Sequence, residues 1–118
     1  MSAEKPKPTL LQGSLDLLIL RTLVGGPRHG YAIARHLHVA SEAFLQVEEG
    51  SLYPALHRLE KRGWVTSEWG PSEANRRAKF YSLTSAGRKR LQSEMAAWLK
   101  MSEAVGRILS FRPGRASS

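Results

Sequence analysis

Apolar residues dominate the first predicted helix of this chain. From a start at Thr9 or Ser14 as far as Val24, leucine, isoleucine and valine occupy positions on nearly every side of a helix. Such a helix must be covered on more than one side, and a single small domain has difficulty supplying that cover. The pattern therefore predicts that this helix packs both in its own chain and against a second subunit.

A second helix is predicted from residue 30 to about residue 41, after Gly25-Gly26-Pro27 ends the first. The helical spacing assigns an apolar face to this second helix. The residues expected to face inward are Tyr31, Ile33, Ala34 and Leu37.

Residues 50–63 predict a third, short helix with two different faces. Its leucines form one apolar stripe, and Gly63 ends the helix after two cations. Pro54 is expected in its first turn, where the missing N–H costs little. The outward face suits a DNA groove, although taken alone it also fits an ordinary solvated surface. The stripe is Leu52, Leu56 and Leu59, and the outward residues are Ser51, Tyr53, His57, Arg58 and Lys61.

Two runs rich in aromatic and β-branched residues, 64–69 and 79–83, predict strands. The loop between them begins with the turn residues Gly70 and Pro71 and ends with basic residues. Helix, helix, helix, strand, basic loop and strand is the order of a winged helix-turn-helix, in which the loop is the wing.

The longest predicted helix follows an N-cap at Thr84 and covers residues 85–109. It would extend roughly 37 Å, which is longer than one small domain can cover. Its apolar stripe predicts a dimer interface made by Leu91, Met95, Trp98, Val105 and Leu109.

The predicted fold class is mainly α with a small β-wing. A winged helix-turn-helix would occupy residues 9–84, and a long C-terminal dimerisation helix residues 85–109. Residues 1–8 are expected to form a disordered tail, because they are polar and rich in proline. Residues 110–118 are expected to form a flexible one.

The net charge of +8 is placed unevenly along the chain. Residues 1–50 contain five Lys and Arg against five Asp and Glu, whereas residues 51–118 contain thirteen against five. This charge predicts a polyanionic partner, and it favours nucleic acid over a membrane. The alternative is a basic surface without a partner. Three consecutive cations, Arg88 to Arg90, oppose the macrodipole of the last helix. Either these cations contact phosphate, or the helix simply tolerates their unfavourable position.

The chain carries no signature of catalysis, metal binding or a cofactor. It has no cysteine, no Gly-rich phosphate loop and no carboxylate pair on a plausible cleft wall. His36 and His38 are two residues apart and would point to different helix faces, so no metal site is predicted. The apolar run from Leu15 to Val24 is too short to span a bilayer. We therefore expect a soluble cytoplasmic protein that is not an enzyme and has no membrane partner.

Several motifs together resemble the PadR family of bacterial transcriptional regulators. They include Gly50-Ser51-Leu52-Tyr53-Pro54 in the third helix and Arg76-Arg77-Ala78-Lys79-Phe80-Tyr81 in the wing, along with the segments 11–20, 29–33 and 63–65. The resemblance covers about residues 10–110. It implies a dimeric winged-helix repressor whose third helix enters the major groove, while the wing contacts the flanking backbone or minor groove and the first and last helices build the dimer.

These roles give each outward residue a function and an alternative. Arg58 is expected on a guanine edge and Lys61 on a phosphate, unless both are merely solvated. Tyr53 either reaches a phosphate or a thymine methyl, or packs under the wing. His57 either touches DNA or lies exposed. The expected DNA-binding residues are Ser51, Tyr53, Pro54, His57, Arg58 and Lys61 in the helix, and Asn75, Arg76, Arg77 and Lys79 in the wing.

The resemblance also implies a candidate effector site, because some relatives bind planar drugs or phenolic acids at the dimer interface. Trp98 lies midway along the last helix and either stacks on a small aromatic ligand or simply fills the interface. The residues expected at this site are Leu15, Leu18, Ile19, Trp98 and Ser102.

The expected function is a sequence-specific repressor that binds double-stranded DNA as a homodimer at an inverted repeat. A small aromatic effector would release it. The alternative is a basic winged helix that binds RNA or the ribosome.

Overall fold

The computed structural model describes residues 12–114 of the 118-residue chain. Four helices, a single 3-10 turn and three strands follow one another along this part. The elements are α1 (Gln12–Thr22), the 3-10 turn (Leu23–Gly25), β1 (Arg28–His29), α2 (Gly30–Ala40), α3 (Glu49–Lys61), β2 (Val65–Pro71), β3 (Arg77–Leu83) and α4 (Ser85–Leu109).

The strands form an antiparallel sheet in the order β1-β3-β2. β2 and β3 make the predicted hairpin, with Val65 opposite Leu83 at its base and Pro71 opposite Arg77 at its tip. β1 was not predicted, because two residues, Arg28 and His29, are too few to show an alternating pattern. The prediction of a mainly helical chain with a small β-wing is confirmed.

The hydrophobic core lies where α1, α2, α3 and the hairpin meet. The leucine stripe of α3 is buried as predicted, together with Ala55. α1 contributes the largest share, although the helix ends at Thr22 and the chain continues as the 3-10 turn. The core residues of α1 and this turn are Leu15, Leu17, Ile19, Leu20 and Leu23.

α2 presents a different face from the one predicted. Ile33 and Leu37 are buried and Ala34 is half-buried, but Tyr31 is 69% exposed, so its assignment to the inward face is wrong. The helix begins after His29, whose Nδ1 accepts a hydrogen bond from the amide of Ala32 at 3.2 Å. This cap places Tyr31 in the first turn, beside the wing.

The connection from α2 to α3 contains an unusual turn. Glu42 and Ala43 both have positive φ, at 56° and 67°, a conformation that non-glycine residues seldom adopt. The hydroxyl of Ser41 accepts a hydrogen bond from the amide of Leu45 at 2.9 Å, which holds the turn closed. Leu45 is thereby fixed three residues before Glu48, the N-cap of α3.

The end of α3 and the start of α4 both follow standard capping rules. Gly63 has a φ of 78°, and the amides of Gly63 and Trp64 donate to the carbonyls of Glu60 and Leu59 at 3.0 Å. This is the glycine-terminated helix end that the sequence predicted. The side chain of Thr84 caps α4 by accepting a hydrogen bond from the amide of Gly87 at 2.9 Å, also as predicted.

The first turns of α4 pack into the core of their own chain. Leu91 is buried there, so its assignment to a dimer interface is wrong. Beyond Leu91 the apolar side chains of α4 are exposed. The expected tail at residues 1–8 lies outside the described residues, as does the 115–118 part of the tail expected at residues 110–118.

Candidate nucleic-acid interface

The outward face of α3 is polar and aromatic. Leu52, Ala55, Leu56 and Leu59 hold the opposite side of the helix in the core. This anchoring leaves a continuous exposed surface on a rigid element, which is the form of surface that a DNA groove accepts. Its exposed members are Ser51, Tyr53, Pro54, His57 and Lys61.

Pro54 lies in the second turn of α3, so its predicted place in the first turn is wrong. The helix begins at Glu49, and Pro54 is its sixth residue. A proline at this position has no N–H to donate to the carbonyl of Gly50, four residues earlier. Gly50 and Pro54 are both exposed residues.

Arg58 lies at the edge of the exposed face, toward α1. Its Nη2 is 3.0 Å from Oδ1 of Asp16, an ion pair that is partly buried on both sides. Arg58 is therefore half-buried at the edge of the outward face, because α1 supplies a carboxylate that the helical pattern of α3 does not reveal; its contact with a guanine edge stays a prediction. Any base contact by Arg58 would use a guanidinium already oriented by Asp16.

Glu60 fastens the wing to α3. Its Oε2 accepts a hydrogen bond from the hydroxyl of Ser67 on β2 at 2.6 Å, and its Oε1 is 3.8 Å from Nζ of Lys79 on β3. Lys79 is thus directed toward α3 rather than toward the wing tip, where it was expected. Sequence reasoning missed Glu60; the signal was a carboxylate between the basic residues Arg58 and Lys61 in the last turn of the helix.

The wing tip is a tight turn with exposed arginines. Asn75 has a φ of 61°, which asparagine tolerates better than most residues. The amide and hydroxyl of Ser72 both donate to the carbonyl of Arg76, at 2.8 and 2.9 Å, and close the turn. Arg76 is exposed at the tip, and the guanidinium of Arg77 lies 5.6 Å from the centroid of the Trp69 ring.

An open cleft of about 750 Å³ separates the wing from the start of α2 and the side of α3. Aromatic rings line it on both sides, and the basic side chains of the wing line its rim. Burial, and next the nearby carboxylate of Glu49, raise the pKa of Tyr53. The lining includes Tyr31, Tyr53, Trp69, Tyr81, Arg76 and Arg77.

Tyr53 closes the inner end of this cleft against α2. A Cβ atom on Gly30 would lie 2.7 Å from Cζ of the Tyr53 ring, so only glycine allows this approach. The structure agrees with the packing role that was one alternative for Tyr53, while its contact with DNA stays a prediction. Its ring packs near the wing, and part of the side chain remains exposed. Cationic and hydroxyl groups around an open cleft can bind phosphate oxygens.

A second, smaller cavity lies between α1, α4 and the turn that precedes α3. Its volume is about 380 Å³. Of the predicted effector residues it brings together Leu18 and Trp98. Leu15 and Ile19 are buried in the core instead, so these two assignments are wrong. Ser102 is exposed on α4 and does not line this cavity, and its place in an effector site stays a prediction. The complete lining is Ser14, Leu17, Leu18, Arg21, Leu45, Met95 and Trp98.

The predicted dimer stripe is largely exposed. Met95, Trp98, Val105 and Leu109 all present apolar surface along α4. The stripe is broader than predicted, because further residues beside it are also exposed. These are Leu99, Met101 and Ile108.

Neither a metal site nor a membrane span is found within residues 12–114. No group of three or more potential metal ligands lies together in this range. No described helix is both long enough and apolar enough to cross a membrane.

Residues 19–93 match the model of the transcriptional regulator PadR-like family. The chain belongs to this family. The matched segment contains α2, α3, the whole wing hairpin and the start of α4. It therefore includes both surfaces that line the larger cleft.

Solved structures of PadR-like and other transcriptional regulators share the fold. A transcriptional regulator from Clostridium thermocellum is 28% identical with a TM-score of 0.75, and the match covers 81% of this chain and 93% of that one. A PadR family regulator from Eggerthella lenta is 31% identical with a TM-score of 0.72, covering 86% of each chain. One from Bacillus cereus is 27% identical with a TM-score of 0.73, covering 86% and 96%. The PadR-like chain is thus a transcriptional regulator by family, and its neighbours are described as regulators rather than enzymes.

Proposed function

We propose that this PadR-like regulator is a sequence-specific DNA-binding repressor that acts as a homodimer on an inverted repeat. The observation that carries the proposal is the exposed face of α3 beside a basic wing tip. α3 is anchored by four buried residues, so Ser51, His57 and Lys61 can be presented in a major groove without disturbing the core. Arg76 and Arg77 then face the flanking backbone or minor groove.

The shape of the interface favours duplex DNA over RNA. The major groove of B-DNA admits an α-helix, whereas that of A-form RNA is deep and too narrow for side chains to contact the bases. A protruding helix of 13 residues with a basic hairpin beside it fits the first geometry. Structured RNA is therefore the natural competitor in a binding experiment, and tight binding to it would favour the alternative function.

Selection from a randomised duplex library tests the proposal directly. We expect an inverted repeat to be enriched, and Arg76→Ala with Arg77→Ala to weaken binding to all duplexes by a similar factor. The salt dependence should flatten by about one unit for each phosphate that the variant no longer binds. Lys100→Ala with Arg107→Ala, which removes the same charge from exposed positions on α4, should keep the parental slope. A wing variant with the parental slope would show that the wing does not contact phosphates.

We also propose that a small aromatic anion acts as effector in the cavity beside Trp98. Arg21 is the ionisable side chain in the lining, and apolar groups surround it. A flat ligand with a carboxylate or phenolate would stack on the indole and pair with the guanidinium. Leu45 also lines the cavity and lies just before α3, so an occupant touches the segment that positions the recognition helix.

Fluorescence titration with phenolic acids tests this ligand class. In a variant with Trp64→Phe and Trp69→Phe, Trp98 alone reports. Phenolic acids should quench it saturably and lower operator affinity, and Arg21→Gln should weaken both effects. A ligand shifts DNA binding only if it prefers one arrangement of the protein over the other. Quenching without loss of operator binding would indicate that Trp98 fills the interface and does not act in an effector site.

A further inference from the structure

A second group of cations lies at the base of the wing hairpin. Arg62 directly follows α3, while Arg88, Lys89 and Arg90 lie in the first turns of α4. We call these four residues the basal cluster. Backbone contacts bring its two parts together, since the amide of Thr84 donates to the carbonyl of Trp64 at 3.1 Å. The hydroxyl of Thr84 also donates to the carbonyl of Gly63, at 2.8 Å.

Trp64 orders two of these cations. The guanidinium carbons of Arg62 and Arg90 lie 5.2 and 4.7 Å from the centroid of its ring. Arg90 is held further by Glu94, whose Oε2 lies 2.7 Å from its Nη2. Stacking on an aromatic face restrains a guanidinium before any partner arrives, so binding costs it less conformational entropy.

The positions of Arg88, Lys89 and Arg90 are unfavourable for α4 itself. The first turn of this helix contains no acidic residue, and cations near a helix N-terminus oppose its macrodipole. Arg88 and Lys89 are exposed to solvent. The cluster therefore concentrates positive charge where helix stability would favour the opposite sign.

The basal cluster is separate from the basic wing tip. Leu83 pairs with Val65 at the base of the hairpin, and Arg77 pairs with Pro71 at its tip. Six residue steps along a strand correspond to about 20 Å. This exceeds the width of a B-DNA major groove, about 12 Å, so phosphates that reach the basal cluster lie outside those beside the wing tip.

We propose that the basal cluster is a second DNA-contacting surface, which binds backbone phosphates beyond the half-site occupied by α3. The inference rests on the proposed DNA-binding function. Guanidinium groups match phosphate oxygens in a bidentate geometry. Protein interfaces usually need an exposed aromatic or apolar anchor, and here the one aromatic side chain, Trp64, is half-buried beneath two arginines. The surface therefore suits a phosphate backbone better than a protein partner.

The test compares two lengths of the same selected duplex. One is trimmed to the inverted repeat, and the other carries about one extra helical turn of unrelated sequence at each end. Arg88→Gln with Lys89→Gln should weaken binding to the long duplex several-fold and reduce its salt slope by about one to two units. Binding to the trimmed duplex should stay within about twofold of the wild type, since it lacks the outer phosphates.

Two matched variants make the result specific. Lys100→Gln with Arg107→Gln removes the same charge from α4. Lys100 follows Lys89 by eleven residues and Arg107 follows Lys100 by seven, spacings that keep one helix face. This variant should bind both duplexes normally. Arg88→Lys with Lys89→Arg keeps the charge and should retain the preference for the long duplex. Thermal unfolding should show that neither glutamine pair melts earlier than the wild type.

Each remaining outcome overturns the inference. Equally weakened binding to both duplexes, weakening matched by the Lys100 and Arg107 control, or unchanged binding would show that the basal cluster makes no contact beyond the half-site. A wild-type protein that binds neither duplex would overturn the proposed function as well. This outcome is distinguished from a failure of the basal cluster alone, because the wild type would then not bind the trimmed duplex either.

Discussion

Two tyrosine hydroxyls lie where α3 meets the wing, and the pKa of each is raised. For Tyr81 the main cause is burial, and the carboxylate of Glu60 and the neighbouring Tyr53 add to it. For Tyr53 burial again comes first, followed by Glu49. Both effects disfavour the phenolate, so the folded chain holds these protons more tightly than the unfolded chain does.

The pH dependence of unfolding should reveal the effect of Tyr81. Because its pKa is higher in the folded state, the folded chain keeps a proton that the unfolded chain releases above about pH 10. The stabilising contribution is complete below that pH and is lost as pH rises through the folded pKa. The melting temperature of the wild type should therefore fall, relative to that of Tyr81→Phe, as the pH rises above about 10.

Glu60→Gln provides the control for this prediction. It removes the second cause of the shift while the burial of Tyr81 remains, so the high-pH destabilisation should become smaller without disappearing. Parallel curves for the wild type and Tyr81→Phe across this range would contradict the assignment.

Individual contacts mark the limit of sequence reasoning at the residue scale. Helical periodicity correctly separated the buried leucines of α3 from its outward residues. It assigned Arg58 and Lys79 to the DNA-binding surface but did not reveal that Asp16 and Glu60 pair with them from other elements. Such pairings join residues far apart in sequence, and the pattern within one element contains no information about them.

At the scale of elements, the start of α4 packs closely against the base of the hairpin at Gly87. A Cβ atom on Gly87 would overlap the carbonyl oxygen of Trp64 and lie 2.9 Å from Cδ1 of Leu83. The neighbouring backbone cannot yield as a flexible side chain would. Gly87 therefore lets the start of α4 approach the base of the hairpin, where Thr84 and Leu91 fix it.

Gly87→Ala should accordingly destabilise the fold. We expect the free energy of unfolding to fall by about 1–3 kcal/mol, which is typical of an added group in a filled space. Chemical denaturation measures this change. Gly13→Ala is the control, since a Cβ there meets no atom within 4 Å and alanine favours the helix. Similar unfolding free energies for the two variants would show that the contact at Gly87 relaxes without cost.

The sequence predicted long and well-capped elements better than short or irregular ones. α4 has the predicted bounds, because a threonine cap and a long apolar pattern define it. β1 and the turn through Glu42 and Ala43 escaped prediction. Pairing with β3 creates the strand, and neither positive φ follows from a residue type that prefers it. A tertiary contact thus determines the strand, and hydrogen bonds within residues 38–45 hold the turn, so the hydrophobic pattern revealed neither.

At the scale of the whole molecule, the exposed apolar side of α4 is the feature that most needs a partner. Trp98 is 51% exposed and Ile108 is 71% exposed, and Leu91 is the last residue of α4 that is buried. Contiguous apolar surface of this kind normally marks an interface. A second copy of the chain is the partner we propose, since two such helices would cover each other.

Val105→Glu should prevent this association. Val105 lies within the stripe and does not line the cavity beside Trp98, so the variant separates assembly from ligand binding. A buried unpaired carboxylate is costly, and we expect monomers in sedimentation at micromolar concentration. Lys100→Glu, on the polar side of the same helix, should remain dimeric. An unchanged mass for Val105→Glu would place the interface elsewhere.

A symmetric dimer also fixes where its two α3 helices meet DNA. The half-sites must lie on one face of the duplex, about one helical turn or a multiple apart. Inserting about five base pairs between the half-sites rotates one of them to the opposite face, whereas about ten restores the phase. We expect the first insertion to abolish tight binding and the second to restore it in part, as measured by mobility shift. The Val105→Glu monomer should respond to neither insertion, because one recognition helix senses no spacing. If the wild type were equally insensitive, its two recognition helices would be binding independently, and the rigid two-fold arrangement through α4 would be wrong.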